Sequence, residues 1–202
     1  MFTPHVADDT ASPGSAGAAL AKLQEGNARF ANSKVSQGKP TAARRAETAQ
    51  AQHPFAIIIA CADSRVAPEI VFDLNIGDIF VIRNAGNLVD DHVEGSIEFA
   101  VEHFGVRLVV VLGHERCGAV KAALAGNIAS AHVQSLVRDI QPAVEAVKGK
   151  TGDPVHLAVV ENARLMAERI RKEASFGEAA RDVRIVSAVY NLDTGNVHWT
   201  KE

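Results

Sequence analysis

Residues 55–65 read Phe-Ala-Ile-Ile-Ile-Ala-Cys-Ala-Asp-Ser-Arg, and this stretch decides the fold class. Its apolar run, from Phe55 to Ala62, has the length of one strand that is buried on both faces. Such strands are typical of parallel sheets that helices cover on both sides. Asp63 and Arg65 follow the run directly. The stretch therefore predicts a central parallel strand that leads into a charged loop.

Strands and helices are predicted to alternate along the chain, which indicates an α/β fold with a mainly parallel central sheet and flanking helices. We expect helices over 18–32, 91–104, 117–125, 131–148 and 155–173, and further strands over 79–82, 107–112, 183–190 and 197–200. The last two strands flank Asp193-Thr194-Gly195, which predicts a hairpin and an antiparallel C-terminal edge. In the helix over 91–104, Asp91 is the predicted N-cap and Glu94 its capping-box partner.

The chain of 202 residues is predicted to be one domain, 1–202, with a flexible leader over 1–17 and a helical arm over 18–50. A net charge of −3 argues against a mainly electrostatic nucleic-acid binder. The sequence contains no apolar run of about 18 residues, so we expect no transmembrane helix and no membrane partner. The leader lacks the basic and apolar regions of a secretory signal, which favours a cytoplasmic chain.

Both cysteines of the chain lie where predicted strands end. Cys61 ends the first strand, while His114 and Cys117 belong to the segment GHERCG at 113–118 that follows the third. If these strands are neighbours, the three side chains converge at the carboxyl edge of the sheet. Two thiolates and one imidazole are a donor set that suits zinc. The fourth ligand then decides the kind of site, since a protein ligand closes it and water leaves it open for catalysis.

Taken singly, these residues also have structural interpretations. A buried cysteine is often only a small hydrophobic residue, and His114 also suits a tight turn. A disulfide is disfavoured in a cytoplasmic chain. The patterns C-x-D-x-R and H-x-x-C both follow apolar strands and together use every cysteine, so we favour a zinc site. The other histidines, His156 among them, are expected to be surface or capping residues, with a role as proton shuttle as the alternative for His92 and His103.

Four motifs occur in order: CADSR at 61–65, FVIRNAGN at 80–87, GSIEFAV at 95–101 and GHERCGAV at 113–120. In these motifs the sequence resembles the β-class carbonic anhydrases. The resemblance implies an α/β fold, a homodimer or tetramer, and reversible hydration of carbon dioxide to bicarbonate. It also implies that Cys61, His114 and Cys117 bind one zinc ion per chain.

The resemblance implies a mechanism in which zinc-bound hydroxide attacks carbon dioxide and yields bicarbonate and a proton. We expect Asp63, fixed by a bidentate pair with Arg65, to accept the proton of the hydroxide and orient its attack. A plain salt bridge in a loop is the alternative for these two residues. The family also has a closed state with the matching aspartate on zinc, for which Asp63 is the candidate. Members with bicarbonate regulation tend to carry tryptophan where this chain has Ile58, so the chain departs from that pattern.

Residues that contact the substrate are also implied by the resemblance. Gln52 lies nine residues before the first cysteine, where plant-like members place a glutamine that donates to substrate in the neighbouring subunit. Phe80, Ala85 and Phe99 match the apolar pocket for carbon dioxide. Phe99 lies off the apolar stripe of its helix, so we expect it to face something other than the core. The N–H of Gly118, near a predicted helix start, suits a bicarbonate oxygen.

Two further functions stay open on the sequence alone. Relatives of this fold hydrolyse carbon disulfide or carbonyl sulfide, and access to the metal, which separates them from carbonic anhydrases, is not visible in the sequence. A non-catalytic scaffold stabilised by zinc is the other alternative, with Asp63 as a permanent fourth ligand.

Overall fold

A single sheet of five strands, flanked by helices, forms the centre of the computed structural model, which describes residues 14–36, 41–126, 130–174, 176 and 182–200. The strands are β1 (Ala56–Cys61), β2 (Ile79–Asn84), β3 (Leu108–His114), β4 (Arg184–Tyr190) and β5 (Val197–Trp199). The helices are α1 (Ala16–Ala31), α2 (Ala42–Thr48), α3 (Pro68–Val71), α4 (Asp91–Phe104), α5 (Gly118–Ala125), α6 (Ala131–Val147) and α7 (Pro154–Glu173). Residues 1–13 of the predicted leader lie outside the described residues, and its last two residues, 16 and 17, already belong to α1.

The strand order is β2-β1-β3-β4-β5. Strands β1 to β4 are mutually parallel, and β5 pairs with β4 in the antiparallel direction. The predicted α/β fold and its antiparallel edge are therefore confirmed. Ala60 of β1 lies opposite Leu112 of β3, so the carboxyl ends of these two strands meet at one edge of the sheet.

Two apolar layers bury the central strands on both faces. Ile57 and Val109 pack in a layer with α4, α5, α6 and α7, whereas Ile58 and Val110 pack on the opposite face with α1 and α3. Every residue of β1 and of β3 is buried. The continuous apolar runs of the sequence follow from this arrangement, because neither face of these strands contacts solvent.

Helix α4 begins one residue away from the predicted cap. Asp90, not Asp91, is the N-cap, and its carboxylate accepts the N–H three residues further on at 2.9 Å. The capping box predicted for Glu94 is therefore wrong, and Glu94 instead pairs with Arg169 of α7 at 3.1 Å. Adjacent aspartates both suit an N-cap, and the sequence does not show which of them first adopts helical dihedrals.

The short helix α3 was not predicted. Its four residues begin with Pro68 in the first turn, a favoured place for proline, but they are too few to show a helical period. Among the helices of the described ranges, none is both long and apolar enough to cross a membrane.

Candidate metal centre

Cys61, His114 and Cys117 lie together at the carboxyl edge of the sheet. Cys61 is the last residue of β1, and His114 is the last residue of β3. A turn through Glu115 and Arg116, the latter with a positive φ of 54°, brings Cys117 back as the N-cap of α5. The ligand atoms of the three residues lie within 4.8 Å of one another, and all three side chains are buried.

The spacing of the two sulfur atoms fits a shared zinc ion. The Sγ atoms of Cys61 and Cys117 are 4.0 Å apart. Two Zn–S bonds of about 2.3 Å at a tetrahedral angle place their sulfurs about 3.8 Å apart. A disulfide requires about 2.0 Å, and both cysteines are free thiols. The pair therefore has the geometry of two metal ligands.

The imidazole of His114 is oriented to coordinate through Nε2. Its Nδ1 donates to the carbonyl of Glu115 at 2.9 Å, which leaves the lone pair on Nε2. His114 is fully buried, and its Nε2 has no hydrogen-bond partner among the described residues. Burial of such an atom without a partner costs free energy, and a metal ion at this position would satisfy it.

The thiols of Cys61 and Cys117 share a hydrogen bond that shifts their pKa values in opposite directions. This contact lowers the pKa of Cys61 against the opposing effect of burial, and it raises the pKa of Cys117, where burial acts in the same direction. The N–H of Gly86 also donates to Cys61 Sγ at 3.4 Å. One proton of the pair is therefore readily lost, and a divalent cation would compete for the other.

Asp63 and Arg65 form a bidentate pair beside this set. Arg65 donates from Nε to Oδ1 at 2.9 Å and from an Nη to Oδ2 at 2.7 Å, and its backbone N–H adds a third bond to Oδ1 at 3.0 Å. The guanidinium holds the pKa of Asp63 well below its usual range. Asp63 Oδ2 lies 3.9 Å from His114 Nε2. The carboxylate thus faces the candidate ligands as an ionised acceptor.

Arg83 of β2 fixes the loop that carries Asp63. Its side chain donates to the carbonyl of Cys61 at 3.0 Å and to the carbonyl of Asp63 at 2.8 Å. These two bonds hold the backbone from Cys61 to Asp63 in place, so the side chain of Arg83 orients the loop by binding the loop's backbone carbonyls.

Comparisons with known proteins agree with this geometry. The sequence model of a family described as carbonic anhydrase matches residues 56–197. A carbonic anhydrase of Mycolicibacterium smegmatis is 39% identical over 188 residues, which cover 89% of this chain and 91% of that protein. The β-carbonic anhydrase of Aspergillus fumigatus superposes with a TM-score of 0.67 at 27% identity, over 92% of this chain and 90% of that one. The chain belongs to the β-carbonic anhydrase family. The Coccomyxa β-carbonic anhydrase, solved with acetazolamide, gives a TM-score of 0.69 at 26% identity, covering 91% and 86% of the two chains.

Two residues predicted to contact substrate lie beside the candidate ligands of this β-carbonic anhydrase. Ala85 directly follows Asn84, which is the register partner of Cys61 on β2. Gly118 is exposed and is the first residue of α5, immediately after Cys117. Both positions border the centre.

Gln52 and Phe80 lie far from the candidate ligands of their own chain. Gln52 is exposed and lies four residues before β1, whereas Cys61 ends that strand, which alone spans about 17 Å. Phe80 pairs with Ile57, four residues before Cys61, which corresponds to about 13 Å along the strand. Neither side chain belongs to a pocket around the metal centre within one subunit.

Phe99 belongs to an aromatic row that includes Phe80. The ring of Phe99 lies 5.6 Å from that of Phe104, which in turn lies 6.1 Å from Phe80. Phe99 is 47% exposed, in keeping with its position off the apolar stripe of α4. In the described part of the chain β2 is the edge strand of the sheet, so the row lies next to a sheet edge.

No local sequence pattern indicated that two polar residues of α7 contact the loops of the centre. His156 Nδ1 lies 2.7 Å from Glu115 Oε1, and Asn162 donates to the carbonyl of Gly86 at 2.9 Å. The partners are 41 and 76 positions apart. No local motif marks such contacts, because only the packing of α7 against the sheet creates them.

Proposed function

We propose that this β-carbonic anhydrase catalyses the zinc-dependent reversible hydration of carbon dioxide to bicarbonate and a proton. The observation that supports this most directly is the buried set of Cys61, His114 and Cys117 beside the Asp63–Arg65 pair. Three protein ligands with a fourth position left for solvent are typical of catalytic zinc sites. Zinc, when bound there, lowers the pKa of a coordinated water towards 7 and so supplies hydroxide at neutral pH.

Asp63 orients the nucleophile in this proposal. Arg65 keeps its carboxylate ionised, and an ionised carboxylate only accepts hydrogen bonds. It therefore accepts a hydrogen bond from the O–H of the attacking group, which keeps its proton, and so turns a lone pair towards carbon dioxide. Arg65 limits the rotation of the carboxylate, and the Arg83 bonds hold the backbone beneath it. The N–H of Gly118 is the proposed donor to a bicarbonate oxygen, and Ala85 leaves room for the substrate.

We also propose that a second copy of the chain completes the site, in a homodimer or tetramer. Gln52 precedes β1 and Phe80 lies four register positions before Cys61, so both are too far from Cys61 to act in their own subunit, while the row of Phe80 and Phe99 lies near the sheet edge formed by β2. In an isologous contact each subunit offers the same surface to its partner. Gln52 then donates its amide to substrate in the partner's site, and the two rings supply the apolar pocket.

Subunit complementation tests this shared site. Cys61→Ser removes a metal ligand, and Gln52→Ala removes the donor offered to the partner. In a mixed dimer one site combines the intact metal set of one chain with the intact Gln52 of the other, so a statistical mixture recovers about a quarter of wild-type activity. A mixture no more active than the mean of the two separate variants contradicts the shared site.

Substrate comparison separates the proposal from sulfur hydrolysis at the same centre. We expect zinc-loaded protein to hydrate carbon dioxide much faster than it releases sulfide from carbon disulfide or carbonyl sulfide. The reverse order would assign the chain to the sulfur substrates. Permanent ligation by Asp63, as in a structural scaffold, is disfavoured because Arg65 engages both of its oxygens. The cytoplasmic location stays a prediction.

A further inference from the structure

Asn162 is a buried polar residue whose amide makes one hydrogen bond among the described residues. It lies on α7 with 1% of its surface exposed, and its Nδ2 donates to the carbonyl of Gly86 at 2.9 Å. Its Oδ1 is buried and has no partner in the described part of the chain. Burial of a side-chain amide costs free energy, which an apolar residue of similar size would avoid. The contact to Gly86 is therefore the feature that distinguishes asparagine from leucine at this position.

Gly86 also contacts the metal centre, through its N–H. The N–H of Gly86 donates to Cys61 Sγ at 3.4 Å. Gly86 has a φ of 84°, and a Cβ there would lie 3.0 Å from Ile140 and 3.3 Å from Ala119. Glycine is thus required both by the backbone conformation and by the close packing of α5 and α6. The residue has little freedom to move independently of its neighbours.

A second contact from α7 holds the far end of this loop. The N–H of Val89 donates to the sulfur of Met166 at 3.3 Å, and Met166 lies one helical turn after Asn162. Asn84, two residues before Gly86, closes the same loop through two hydrogen bonds with the backbone of Leu88, at 2.7 and 2.8 Å. Helix α7 therefore contacts the loop at Gly86 and at Val89. Of these two contacts, that of Asn162 is made to the residue whose N–H bonds Cys61.

We propose that Asn162 is a positioning residue for the metal centre, which fixes Gly86 so that its N–H remains directed at Cys61 Sγ. The proposal rests on the proposed metal site, because it concerns how one of its ligands is held. Hydrogen bonds to a ligand sulfur restrict its position and reduce the charge it donates to the metal. Loss of the Asn162 contact leaves the carbonyl of Gly86 without its donor and weakens the restraint on the N–H that faces the sulfur.

The test uses full-length protein loaded with zinc or with cobalt(II), whose bonds to thiolates give a charge-transfer band. Asn162→Asp keeps the shape and removes the donor, and Asn162→Leu removes both polar atoms. We expect zinc, measured by competition with a chelator, to bind about 10–100-fold more weakly in both variants. We also expect the charge-transfer band to move to lower energy, since the sulfur donates more charge. Asn162→Gln retains an amide and is the milder variant if the others fail to fold.

Ile170→Val is the matched control. Ile170 is fully buried on the same helix, eight residues after Asn162. Its substitution by valine loosens the packing of α7 without removing a contact to Gly86. It should lower thermal stability while leaving zinc affinity and the cobalt band unchanged. Wild-type affinity and an unshifted band in folded Asn162 variants would overturn the positioning role. A wild-type protein that binds no zinc would instead contradict the proposed function.

Discussion

The carboxylate of Asp63 faces the imidazole of His114, with Oδ2 3.9 Å from Nε2, while both of its oxygens are bonded to Arg65. The residue is close enough to act on a group held between it and the candidate metal ligands. It reaches the metal as a ligand only if the pair with Arg65 opens. The pair with Arg65 therefore favours the open state of the proposed centre, and both the open and the closed state remain predictions.

Asp63→Asn tests this relationship. The amide keeps the size of the side chain but no longer offers two acceptor oxygens to Arg65 and the nucleophile. We expect kcat/KM for carbon dioxide hydration to fall by about 10–100-fold or more, with zinc content unchanged. Asp78→Asn is a matched control, since Asp78 also pairs with an arginine, Arg44 at 2.9 Å, but lies before β2. Equal losses in the two variants would argue against a role for Asp63 at the centre.

Arg116 carries backbone strain in the turn between His114 and Cys117. Its φ is 54°, and its guanidinium forms two bonds with Asp193 of the hairpin, at 2.6 and 2.9 Å. Arg116→Ala loses this pair and keeps the strain, whereas Arg116→Gly loses the pair and relieves it. We expect the glycine variant to melt roughly 2–4 °C above the alanine variant. A higher melting temperature for alanine would show that the turn stores no strain.

Where α1 packs closely against the end of α3, we expect replacement of a helical glycine by alanine to destabilise the protein instead of stabilising it. Alanine normally stabilises a helix relative to glycine by about 0.5–1 kcal/mol. A Cβ at Gly26, however, would lie 1.9 Å from the carbonyl oxygen of Phe72, whereas the nearest contact at Gly17 is 3.9 Å. In urea unfolding we expect Gly26→Ala to lose about 1–3 kcal/mol and Gly17→Ala to gain up to about 1 kcal/mol. Stabilisation by both would contradict the packing.

Arg164 lowers the pKa of Glu161 on α7 through a hydrogen bond at 2.6 Å. A folded-state pKa below the unfolded value, about 4.3, means that ionised Glu161 stabilises the fold above that pH and ceases to do so as the pH falls through the folded value. Because the pair is partly exposed, its contribution is no more than about 1 kcal/mol. We expect Glu161→Gln to be less stable than wild type at pH 7, with a difference that shrinks below pH of about 4. A difference that grows on acidification would contradict the pair.

The parts of the molecule that the sequence predicted best are those fixed by contiguous residues. The buried runs before Cys61 and through Leu112 mark β1 and β3, and neighbouring parallel strands bring their carboxyl ends together. The juxtaposition of Cys61 with His114 follows from that pairing. Gly105, with a φ of 65°, directly follows the helix predicted over 91–104 and is the C-cap of α4, a place where glycine is favoured.

Features set by distant packing were not predictable in the same way. The capping role of Asp90 over Asp91 depends on where the chain first turns into α4. The contact of Asn162 with Gly86 joins positions 76 apart and needs the docked position of α7. The separation of Phe80 from Cys61 follows from register, which a motif match does not contain.

Stopped-flow hydration of carbon dioxide, recorded while zinc is added back to metal-free protein, tests the central claim most directly. We predict that activity rises in proportion to bound zinc, saturates at about one zinc per chain, and is absent in Cys61→Ser. Protein that binds one zinc per chain and yet hydrates carbon dioxide no faster than buffer, at a pH of about 8.5 where coordinated water is ionised, would contradict it.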